Sequence, residues 1–257
     1  MKIVSLIAMS CLLMASAVAQ DPLIVSPQAY KLQFENEWVK VTRVHYAPYE
    51  KLPAHAHTLT ASAYVYLNDA GPVVFKHIDK EYGAVTRPAT KAGSFRLYRG
   101  LQEIHEVENK SELPSDFLRV EFKTEPLKEN TLRGKFFREE YPADDNFQKV
   151  QFENEQVRIT RLVVAKGKTM EVSTDATTPA LLIALSAADF TVSYGKGKAQ
   201  KLKLNLGQSD WLALNQQRQL ENTGNAPAEL LRFDFKTKPL TKEELEKKKK
   251  HEHPKNG

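Results

Sequence analysis

The chain has 257 residues, 41% hydrophobic and 27% charged, with a formal net charge of +5. That length allows one large domain or two of ordinary size, and the balance is that of a soluble globular protein rather than a disordered one. Much of the positive excess sits in the terminal run Lys247-Lys248-Lys249-Lys250, so the chain lacks the broad basic stripe, interleaved with aromatics, that nucleic acid requires.

The first twenty residues read as a separate object. Lys2 is a basic opening, Ile3 to Met14 an apolar run, and Ala17-Val18-Ala19 a small-residue cleavage pattern. We expect a signal peptide over residues 1–20, cleaved after Ala19 or Gln20, and a periplasmic or secreted product. The apolar run is too short for a stable membrane anchor. Cys11, the only cysteine, falls inside this segment and away from a lipoprotein's cleavage position. The mature chain then has no disulfide, thiolate ligand or thiol nucleophile.

The remainder of the chain is built on a repeat. Gln33-Phe34-Glu35-Asn36-Glu37 returns as Gln151-Phe152-Glu153-Asn154-Glu155, an offset of 151 − 33 = 118. Leu118-Arg119-Val120-Glu121-Phe122-Lys123-Thr124 returns as Leu231-Arg232-Phe233-Asp234-Phe235-Lys236-Thr237, an offset of 231 − 118 = 113. Two matches in the same order mark a tandem duplication, with copies over 28–127 and 147–240. Within copy one, period-2 patterning predicts strands from Val39, at 63–67, 73–78, 95–98, 104–107 and 117–122. In copy two it predicts them from Val157, at 181–185, 190–194, 201–204, 211–214 and 230–235. Short strands between Gly, Pro, Asn and Asp turns specify an all-β sandwich or barrel.

The segment between copies, 128–146, carries Leu132, Phe136, Phe137 and Tyr141, too apolar for a free tether. It is expected to pack across the junction. Thr241-Lys242-Glu243-Glu244 opens a short polar helix with a capping box, and 241–257 ends in a basic tail.

Pro53-Ala54-His55-Ala56-His57 in copy one carries two histidines at i and i+2, which share a face if the backbone is extended. His105 comes later, with Asn109, in the pattern H-x-x-x-N. An HxH pair on one strand and a third histidine on a facing strand form a sparse ligand set for one ion. At the matching places copy two has Val172, Thr174 and Arg218, keeping only Asn222. His45 answers to Val163, and His77 is expected at the surface. His251 and His253 form a second HxH in the tail with no third partner. Tyr64, Tyr66 and Arg96 read as sheet or pocket residues. No phosphate loop, nucleophile elbow or H-E-x-x-H motif occurs.

These residues resemble the cupin superfamily. The stretch from Asn36-Glu37-Trp38-Val39 through His55-Ala56-His57 is similar to the first cupin motif, and Gly93, His105 and Asn109 to the second. The resemblance implies two tandem jelly-roll barrels, a bicupin, with the metal motif lost in the second copy. It implies one divalent transition metal on His55, His57 and His105, Fe(II) first, with Zn, Ni, Mn or Cu also suited to imidazole. The superfamily usually adds a Glu four or five residues after the second His; here Ala61 and Ser62 stand there. A three-His site without that Glu resembles the thiol and diketone dioxygenases, so oxygen-dependent or other small-molecule chemistry is implied. The alternative is a non-catalytic periplasmic binding or scaffold protein with a relic site. Either reading implies a small-molecule ligand and a monomer or homodimer.

Overall fold

The computed structural model describes residues 20–78, 83–101, 104–127, 131–195 and 197–249. Residues 1–19 of the expected signal peptide, and His251 and His253, lie outside them. A short helix, α1 (Pro22–Val25), is capped by Asp21, whose carboxylate accepts from the Leu23 amide at 2.9 Å.

Nine strands come next in copy one: β1 (Tyr30–Glu35), β2 (Val39–Tyr46), β3 (Lys51–Ala56), β4 (Ser62–Tyr66), β5 (Val73–His77), β6 (Ala84–Arg87), β7 (Phe95–Tyr98), β8 (Ile104–Asn109) and β9 (Ser115–Phe122). They form a large antiparallel sheet, β1-β2-β9-β4-β7, and a small one, β3-β8-β5-β6. A tenth strand, β10 (Gly134–Phe136), comes from the connecting segment and extends the large sheet beside β7.

Copy two repeats the pattern with β11 (Phe147–Glu153), β12 (Val157–Val164), β13 (Thr169–Ser173), β14 (Ala180–Ala184), β15 (Ala188–Ser193), β16 (Gln200–Leu204), β17 (Ser209–Leu212), β18 (Gln217–Asn222) and β19 (Ala228–Phe235). Its sheets run β11-β12-β19-β14-β17 and β13-β18-β15-β16, the same orders strand for strand. The all-β tandem-barrel expectation therefore holds. So does the short C-terminal helix, α2 (Lys242–Lys249), whose capping box closes with Thr241 N–H on Glu244 at 2.8 Å.

Alternation along each strand divides its residues between two cores. Val39 and Val41 of β2, Val65 of β4, Phe95 of β7 and Leu118, Val120 and Phe122 of β9 point out of the first barrel. They meet Val157, Ile159, Leu181, Phe233 and Phe235 from the second, with Phe122 and Phe235 ring centroids 5.7 Å apart. The largest apolar core is thus the junction between the barrels. Leu132 is buried in it, and Phe136 stacks on Phe95 at 4.6 Å, whereas Phe137 is exposed.

The repeated segments build that junction reciprocally. Arg161, fully buried, pairs with Glu229 and donates from Nη2 to the Gly93 carbonyl of the first barrel at 2.6 Å. In the opposite sense, Gln33 donates to the Gly207 carbonyl at 2.9 Å, beside the Arg43–Asp116 pair.

The barrel interiors differ. Inside the second barrel, fifteen buried apolar residues, among them Val172, Leu182, Phe190 and Leu220, form one cluster. Inside the first, the corresponding cluster holds eight, and Arg119, Tyr64, Arg96 and the histidines occupy the remaining wall. One barrel is filled; the other is hollow.

Candidate metal centre

β3 and β8 are hydrogen-bonded neighbours in the small sheet, with His55 directly opposite His105. His57 lies one residue beyond the end of β3. The third histidine therefore comes from an adjacent strand, not a facing one. A register shift between Leu52 and His55 re-aims the end of β3, as bulges do. One ligand atom from each of His55, His57 and His105 falls within 4.8 Å of the others. Ring centroids are 4.8 Å apart for His55–His105, 4.9 Å for His55–His57 and 5.2 Å for His57–His105. Among the described residues no Asp, Glu or Cys joins the group.

The tautomer of His55 follows from its partners. Its Nδ1 lies 2.9 Å from the Pro53 carbonyl, which can only accept, so Nδ1 carries the proton. Nε2 then has the lone pair and accepts from Tyr30 Oη at 3.0 Å; Tyr30 in turn takes a bond from Tyr46 Oη at 2.7 Å. Burial raises both tyrosines' pKa values and keeps them as neutral donors.

Burial also holds the imidazoles unprotonated. It lowers His55 to about 4, with the Arg119 charge adding to the effect, and pushes His57 and His105 well below the usual histidine range. Three neutral, converging imidazoles, one with its free Nε2 fixed by a carbonyl behind it, are a donor set that fits a divalent transition metal. A cation taking the Nε2 lone pair of His55 would replace the Tyr30 hydrogen bond.

Ser62 and Ala61 supply no carboxylate. Ser62 is turned to the Thr60 carbonyl at 3.2 Å, and Ala61 lies in the apolar junction. Asn109 is a turn clamp: its side chain donates to the Ala47 and Leu113 carbonyls at 2.9 Å and accepts from the Ser111 amide. Asn222 does the same in copy two with Val164, Ala226 and Gly224. Retention of this Asn in both copies therefore reports a turn, not a site.

His77 corrects the surface expectation. It is only 5% exposed and sits opposite His105 on β5, with ring centroids 5.3 Å apart. His55, His105 and His77 thus stand abreast on three adjacent strands. His45 points the other way and is exposed. A cavity with an empty volume of about 650 Å³, mouth included, opens on His57, His105 and His77. Arg119, 2% exposed, lines its opposite wall; the sequence hides it inside an ordinary-looking strand. Its only signal there is a charge in strict alternation with Leu118 and Val120.

No protein-family model matches the sequence, and no curated protein matches it. Solved structures do. AerE from Microcystis aeruginosa superposes with a TM-score of 0.56 at 13% identity, over 80% of this chain and 97% of that one. A salicylate 1,2-dioxygenase from Pseudaminobacter salicylatoxidans gives 0.52 at 12%, over 78% and 71%. A cupin 2 conserved barrel domain protein from Leptotrichia buccalis gives 0.50 at 12%, over 80% and 88%. At such identities the likeness is one of fold: this chain has the cupin fold twice over, with a three-histidine cluster in the first barrel.

Proposed function

We propose that the N-terminal barrel binds one divalent transition metal through His55, His57 and His105, and that the protein is an exported metal-dependent enzyme acting on a small molecule. Fe(II) is the first choice of ion and dioxygenase-like chemistry the first choice of reaction. One observation carries the reading. The three imidazoles converge in the hollow barrel, while their counterparts Val172, Thr174 and Arg218 stand in the filled one. Three protein ligands without a fourth leave coordination positions for substrate, as catalytic rather than structural sites do.

The ion would supply Lewis acidity and, as Fe(II), a partner for dioxygen. The chain supplies the rest. The Pro53 carbonyl sets the His55 tautomer, the Tyr30–Tyr46 pair keeps a neutral donor beside it, and the barrel wall limits the site to small ligands. Metal analysis of untagged, purified protein tests this: about one equivalent of a divalent ion should be retained through gel filtration. Protein that binds no divalent ion tightly has a relic site, and the non-catalytic binder then takes over. Export is tested separately by N-terminal sequencing, which should find Gln20 or Asp21 first on the accumulated protein.

A further inference from the structure

The wall facing the histidines has an order of its own. On the large sheet Tyr64 of β4 is in register with Arg119 of β9 on one side and Arg96 of β7 on the other. Both guanidiniums lie over its ring, Arg96 at 4.7 Å and Arg119 at 5.8 Å from the centroid. The row Arg119–Tyr64–Arg96 thus looks across the cavity at His57, His105 and His77. Arg87 lines the cavity too, and no Asp or Glu does among the described residues. Arg96 Nε is buried and makes no hydrogen bond to a described residue.

The second barrel shows what a neutralised version of this wall looks like. There the register places Arg232, Leu182 and Asp210 in the corresponding row. Arg232 bonds to Asp234 at 2.7 Å, and Arg218, in the slot of His105, reaches across to Asp210 at 2.5 Å. Cations and acids alternate across that interior. In the first barrel Arg96 takes the place of Asp210, a cation where the second barrel has an anion, and Arg119 leans on Glu121 at 3.4 Å. A guanidinium drawn into a cavity wall calls for a counter-anion, and planar bidentate recognition of carboxylates is what arginine does best.

We propose that the cavity takes a small carboxylic acid with a flat, apolar body about one ring in size, its carboxylate held by Arg96 and Arg119 and its body packed between Tyr64, Phe75 and Phe117. This rests on the small-molecule reading above and names the class of that molecule. It does not depend on which metal is bound.

The test is calorimetric titration of the untagged chain, chelator-treated and Zn-loaded, with benzoate and with its neutral isostere benzamide. Benzoate should bind at least about 10-fold more tightly than benzamide, the margin of one charge-assisted hydrogen-bonded pair. Arg96→Gln should abolish that preference without changing bound zinc or the melting temperature, and Arg96→Lys should restore part of it. Arg96 is half-buried, so its replacement avoids the folding risk of removing Arg119. Equal affinity for the two probes, an unchanged preference in Arg96→Gln, or no benzoate binding in the millimolar range overturns the proposal. A preference kept by a chain that holds no metal sinks the metal reading alone; stoichiometric metal with no preference sinks this one alone.

Discussion

His55 is oriented by the carbonyl two residues before it, and that local bond decides that Nε2 is the nitrogen with the free lone pair, turned to Tyr30. Because each of the three imidazoles is one ligand of a minimal set, replacing any of His55, His57 or His105 by Ala should abolish stoichiometric metal binding. His251→Ala should leave it unchanged, as measured by bound-metal analysis on the same preparations. Burial makes a second consequence testable in the metal-free protein. The folded His55 titrates at about 4 instead of near 6.5, so below the unfolded value the unfolded chain takes up a proton that the folded one refuses. The stability contribution is whole above about pH 6.5 and is lost as pH falls towards about 4, at a cost of roughly 3 kcal/mol for this residue. His57 and His105, lowered for the same reason, add to it in the same direction. Urea midpoints of chelated protein should therefore drop steeply between about pH 6.5 and 4.5; a flat profile would mean that the imidazoles are solvated.

Along β4, β7 and β9 the alternation puts apolar residues such as Val65, Phe95 and Leu118 outside the first barrel and polar or aromatic ones inside, because the outer face is covered by the second barrel. The turns at Gly93 and Gly207 are the clasps of that junction. Arg161→Met leaves Glu229, 1% exposed, with Arg138 and Tyr141 as its side-chain partners. Breaking a buried pair from one side typically costs about 3 kcal/mol or more, and equilibrium urea unfolding should show a loss of that size. Gly207 has φ +79°, and an added Cβ would meet Leu67 Cδ1 at 2.6 Å, whereas Gly167 has φ +71° with nothing within 4 Å. Both Ala variants carry the backbone strain of roughly 1 kcal/mol or more, and Gly207→Ala should lose further stability by disturbing the junction. Equal losses in thermal melts would show that Leu67 gives way freely.

The molecule has divided labour between two copies of one fold. The second barrel buries its own apolar interior and closes its arginines on its own acids, while the first gives up that interior for a cavity. Stability lost inside the first barrel is offset at the junction, where Val39, Val41, Leu118, Val120 and Phe122 find partners. Expressed alone, residues 20–127 would expose that whole apolar face, which promotes aggregation. The fragment should be aggregated or largely unfolded by circular dichroism and size exclusion, at concentrations where the full chain is folded. A monomeric, folded fragment would show that the cavity barrel is stable without its neighbour.

The duplication, the all-β class, most strand positions and the three histidines are legible in the sequence, because period-2 patterning, repeated segments and an HxH spacing are local signals. Patterning alone ends the strand near Ile104 at Val107, whereas β8 runs on to Asn109 because its neighbours pair it that far. His77 reads as a surface residue because nothing in its own segment shows that β5 is the next strand to β8. Arg96 reads as a sheet or pocket residue and Arg119 carries no reading beyond its place in the repeat, since alternation names two faces without saying which one closes around a cavity. Those assignments depend on strand order and on register between segments far apart in the chain. Sequence alone determined which residues could share a face; only the packing of two sheets decided that His57, His105 and His77 would face the arginine–tyrosine row across one cavity.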